Sequence, residues 1–102
     1  MTKEELFKNL IKNDYVHEVT MKYPSLSNHK GHDYTISVLV KNENDEWKCR
    51  RELFFHNGKY KFFMLIEIKL EEEKLVFTGK NIKEEDMYEM FWRFVRNGEV
   101  QR

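Results

Sequence analysis

Few side chains in this sequence have both the type and the spacing for chemistry. His29 and His32, in His29-Lys30-Gly31-His32, are candidate metal ligands together with His17 and Cys49. Zinc sites normally repeat a paired Cys or His spacing; here there is one loose pair, and the other two ligands fall on strands expected to point inward. No metal centre and no cofactor is therefore predicted. Ser25 and Ser27 lack a G-x-S-x-G setting, and Cys49 falls mid-strand, where a thiol behaves as a small hydrophobe. The carboxylates concentrate in turns and on helix surfaces rather than in an inward-facing pair suited to acid-base work. The four glycines are scattered, so no loop cradles phosphate. Taken together, these patterns predict a protein that is not an enzyme.

Arg51 is the exception. The strand phase turns it inward, between Val38 and Met64, where an unpaired charge costs several kcal/mol. The expected resolution is a stem that runs under the C-terminal helix to an acid such as Glu89. The competing reading groups Arg51 with His17 and Tyr60 as a small-molecule cleft between sheet and helix.

Local pattern predicts the elements that position these residues. Thr2-Lys3-Glu4-Glu5 is a capping box opening a helix to about Lys12, with Leu6, Phe7, Leu10 and Ile11 in one stripe and Asn13 as a left-handed stop. The period changes to two from Tyr15 to Tyr23, and again from Tyr34 to Lys41, with the polar stretch 24–33 between. Arg50 to Leu70 reads as two strands joined at Asn57-Gly58, a pair favoured by hairpin turns that need positive φ. Asn81 to Glu84 reads as a second capping box, and Met87, Met90, Phe91, Phe94 and Val95 repeat at helical spacing up to Asn97-Gly98. The fold class is α+β: a five-stranded antiparallel meander with N-terminal and C-terminal helices on one face, in a single domain spanning 1–102.

Two-residue turns at 44–45, 57–58 and 72–73 make paired residue numbers sum to 89, 115 and 145. That register places Leu39, Arg50, Phe54, Lys61, Phe63 and Leu65 on the face away from the helices, an aromatic and aliphatic cluster ringed by positive charge. A patch of this kind marks a partner surface, unless the N-terminal helix or the 24–33 loop covers it.

Eighteen basic residues balance eighteen acidic ones, so no global field favours nucleic acid or membrane. The lone cysteine and the lack of a signal-like N-terminus suit a cytoplasmic location, and the longest apolar run, 62–66, is far below the ~20 residues that span a bilayer. The favoured function is a small protein-binding domain whose partner is another protein or its own copy. The chain contains no alanine, and its compact, motif-free format suggests a phage or mobile-element inhibitor that occludes a host protein surface, such as one in a defence complex. The runner-up is single-stranded nucleic-acid binding on the same face, with Phe54 and Phe63 stacking on bases and Lys41, Lys48, Arg50, Lys61 and Lys69 meeting phosphates.

Overall fold

The computed structural model describes residues 1–23, 33–41, 49–58, 60–70 and 72–100. The capping box forms: Glu5 N donates to Thr2 Oγ1 at 3.1 Å and Thr2 N donates to Glu5 Oε1 at 3.4 Å, opening α1 (Lys3–Ile11). Its end differs from expectation, because the C-cap is Lys12 in right-handed geometry. Asn13 closes the turn with its side chain instead, donating to the Asn9 carbonyl.

Five strands follow: β1 (Val16–Lys22), β2 (Tyr34–Val40), β3 (Cys49–His56), β4 (Phe62–Lys69) and β5 (Glu72–Lys80). They form one antiparallel sheet in sequence order. The helix α2 (Glu84–Asn97) ends at Gly98, whose φ of 74° is the left-handed cap that glycine adopts without strain. The α-β-β-β-β-β-α order is the one that periodicity implies. The start of α2 differs: its N-cap is Lys83 without a side-chain cap bond, and Asn81 is instead a left-handed turn residue with φ 56°.

Both helices pack on one face of the sheet. Leu6 and Leu10 of α1 and Met87, Phe91, Phe94 and Val95 of α2 join Ile36, Val38, Leu53 and Phe55 in a single core. The N-terminal helix is thus part of the core layer and does not cover the opposite face. Tyr88 of α2 is buried as well, and its hydroxyl bonds that of Tyr34 across the helix–sheet interface. Burial pushes the pKa of both hydroxyls above the ordinary tyrosine value, Tyr34 the further.

The β2–β3 register is the predicted one, with Tyr34 opposite Phe55 and Val40 opposite Cys49; the turn expected at 44–45 lies outside the described residues. The next register is not. Phe55 pairs with Phe63 and Leu53 with Leu65, so the connection covers 57–61 rather than two residues. That shift is odd, and side chains alternate along a strand, so every β4 residue changes face. Phe63 and Leu65 point into the core, at 2% and 0% exposure, while Phe62, Met64, Ile66 and Ile68 turn outward. The last hairpin also turns earlier than predicted, with Leu70 at φ 55° and Lys69 opposite Glu72. A bulge between Leu65 and Ile66 then absorbs one residue of β5.

A candidate protein-docking face

The face away from the helices can be written as rows across the strands. Glu18, Leu39, Arg50, Ile68 and Glu73 make one row; Thr20, Ser37, Glu52, Ile66 and Leu75 the next; Lys22, Thr35, Phe54, Met64 and Thr78 the third. His56, Phe62 and Lys80 close the series. Its dominant feature is an unbroken apolar column on β4, from Phe62 through Met64 and Ile66 to Ile68, flanked by Leu39, Phe54 and Leu75. These side chains are half-buried or exposed, and none belongs to the helix-covered core. A five-stranded sheet with helices on one side needs only one apolar face, and among the described residues neither helix packs on this second one.

Of the six expected surface residues, Leu39, Arg50 and Phe54 lie on this face. Phe63 and Leu65 do not, for the register reason given above, and Lys61 precedes β4 as an exposed residue of the connection. Sequence reasoning missed Phe62, Met64, Ile66 and Ile68 because it placed them inward. Phe54 and Phe62 face each other with ring centroids 6.1 Å apart, and His56 lies 5.0 Å from Phe62. The end of the face is braced by Asp33, whose carboxylate accepts from His56 Nδ1 at 3.0 Å and from Asn57 N at 3.2 Å. Arg50 Nη1 donates to Ser37 Oγ at 3.4 Å, which ties the guanidinium down over the middle of β2. Of the 24–33 stretch expected as a possible cover, residues 24–32 lie outside the described residues.

The alternative cleft does not assemble. Arg51 does face the helices, but its partner is Glu67, opposite it on β4, with Nε 3.3 Å from Oε2. Its Nη1 donates to the carbonyl of Val95 in the last turn of α2, and the guanidinium lies 5.9 Å from the Phe94 ring. A cation against the carbonyl end of a helix is electrostatically favoured. The expected partner Glu89 pairs with Arg93 instead, at 3.3 Å. Tyr60 is 75% exposed in the 57–61 connection, and His17 is exposed at the bulge in β1. These two therefore do not converge on Arg51. The open depression nearby, ≈ 340 Å³, is lined by Glu67, Lys74, Val76, Phe77, Gly98, Glu99 and Val100.

Cys49 is buried, and burial pushes its thiol pKa up, away from the reactive thiolate. Among the described residues no three His, Cys, Asp or Glu side chains come together as a metal site, and His29 and His32 lie outside them. The base-stacking set is dispersed: Phe63 is in the core, Lys69 shares the helix-side face with Cys49, and Lys48 is outside the described residues. Among the described residues no helix is long and apolar enough to cross a membrane. No family model, curated protein or solved structure matches the chain.

Proposed function

We propose that this protein is a non-catalytic binding domain that docks on another protein through the outer face of its sheet. The apolar column on β4 carries the reading: four large side chains in line, outside the core, with aromatic and arginine neighbours of the kind that dominate interface energetics. The buried, unreactive Cys49 fits a reducing compartment, and hence the cytoplasm. An inhibitor that occludes the working surface of a host protein, as the chain's format suggests, is the specific form of this reading. Nucleic acid is less well served, because Glu18, Glu52 and Glu73 interleave with the cations of the same face.

The test compares affinity capture by wild type, Met64→Asp on the outer face, and Ile11→Asp on the exposed side of α1. The reading requires a partner retained by wild type and Ile11→Asp and lost by Met64→Asp. A partner kept by all three, with each variant folded, removes the outer face from consideration.

A further inference from the structure

We infer that the outer face also receives a second copy of this chain, in a face-to-face dimer whose twofold axis lies across the strands. The inference rests on the docking reading above and specifies one occupant of that face.

The charge pattern at the two sheet edges is complementary to itself. Glu18 on β1 and Glu73 on β5 both lie in the first row, while Lys22 on β1 lies in the third row and Lys80 on β5 in the last. The face therefore has acids at both corners of one end and bases at both corners of the other. Among the described residues none of these four charges forms an ion pair.

Rotating a second copy by half a turn about an axis across the strands reverses the row order and keeps each strand over its own counterpart. Glu73 then meets Lys80 of the second copy, and Lys80 meets its Glu73. Glu18 and Lys22 come within reach of their opposites at the other edge. Along the shared centre, β4 crosses β4 with Ile66 over Met64 and Ile68 over Phe62, which makes a continuous apolar seam. The other axis, along the strands and centred on β3, instead sets Glu18 over Glu73 and brings Lys22 within one row of Lys80. Like charges then come close at all four corners, so the pattern selects one geometry. Zero net charge leaves no long-range repulsion between copies.

Size sets the expected strength. Five strands ~4.8 Å apart and about eight residues long give a footprint of roughly 600 Å² per copy, or on the order of 1,200 Å² in all. That is the low end of specific interfaces, so the dimer should be micromolar and exchanging. Glu52 beside the seam opposes tight association, and Glu52→Gln should strengthen it.

Sedimentation velocity on the full chain, from low micromolar to submillimolar concentration, tests this. Wild type should shift from monomer to dimer, and Ile66→Asp should remain monomeric with unchanged far-ultraviolet circular dichroism. Lys80 and Glu73 are exposed, so their reversal leaves the fold intact. Lys80→Glu alone and Glu73→Lys alone should each weaken dimerisation about tenfold, and an equimolar mixture of the two should restore it, because opposite charges then meet at both sites. A wild type that stays monomeric, or a mixture no better than its components, overturns the second-copy inference. If partner capture is still lost with Met64→Asp, the docking reading survives that failure. If capture also persists in Met64→Asp, both readings fall.

Discussion

Removing the Arg51 guanidinium should be among the costliest single changes outside the apolar core. Arg51 and Glu67 retain only 17% and 14% of their side-chain exposure, so Arg51→Met leaves a largely desolvated carboxylate and an unsatisfied Val95 carbonyl. Breaking a fully buried pair typically costs about 3–5 kcal/mol. Here Lys69 Nζ lies 3.7 Å from the second oxygen of Glu67 and offers partial compensation, which brings the expectation to roughly 2–3 kcal/mol. For a chain of this length that corresponds to a fall in Tm of about 10–20 °C. Arg51→Met/Glu67→Leu, which removes both charges and fills the site, should return to within about 1 kcal/mol of wild type, giving a strong coupling in the double-mutant cycle. The assay is urea unfolding of wild type, both single variants and the double variant, with the slope monitored for constancy. A single variant within about 0.5 kcal/mol of wild type, or a cycle with no coupling, would refute the reasoning.

Three other predictions follow from packing and protonation. The Tyr15 hydroxyl is buried without a hydrogen-bond partner among the described residues, so Tyr15→Phe should raise stability by about 0.5–1 kcal/mol in the same urea assay, and a loss would show that the hydroxyl is satisfied. A Cβ at Gly79 would sit 2.2 Å from Phe63 Cε1 and 2.8 Å from Ile82 Cδ1; Gly79→Ala should cost about 1–3 kcal/mol, and a Tm equal to wild type would mean that the Phe63 ring has room to move. Burial raises the pKa values of Tyr15, Tyr34 and Tyr88 above their ordinary value of 10.0. Below that pH their contribution to stability is complete; above it the unfolded chain releases protons that the folded chain keeps, so stability should fall as pH rises from about 10. Urea titrations at rising pH check this, and in the Tyr34→Phe/Tyr88→Phe variant the slope should flatten. An unchanged slope there would exclude these two hydroxyls as its source.

The fold was legible wherever one face of an element is apolar and the other is not. β2 alternates Ile36, Val38 and Val40 with Thr35 and Ser37, and its register with β3 follows even though the turn between them lies outside the described residues. The capping box of α1 and the glycine stop of α2 were equally plain, because each is a local chemical device. β4 was illegible for the opposite reason: Phe62, Met64, Ile66 and Ile68 on one side and Phe63 and Leu65 on the other are all apolar, so hydrophobicity does not choose its inner face. A usable signal existed in charge. Arg51 is an inward-facing cation, and the observed register is the one that sets Glu67 opposite it. Asking where that cation finds its carboxylate would have lengthened the connection after His56 and exposed the β4 column. Of the six residues expected on the outer face, Leu39, Arg50 and Phe54 lie there, Phe63 and Leu65 fall on the other side of β4, and Lys61 lies in the connection before it.

The double-sided β4 strand has a consequence for how the chain reaches its native state. Side chains alternate in parity, and a strand apolar at both parities can slide by one residue without an immediate hydrophobic penalty, so its hairpin with β3 has an out-of-step competitor of similar collapse energy. What distinguishes the two arrangements is sparse and specific: the Arg51–Glu67 pair, and the notch at Gly79 that admits the Phe63 ring. Those contacts act as a proofreading step on the register rather than as general glue. A chain that lost them would fail first by populating the mis-stepped sheet, with Phe63 and Leu65 outside and Met64 and Ile66 within.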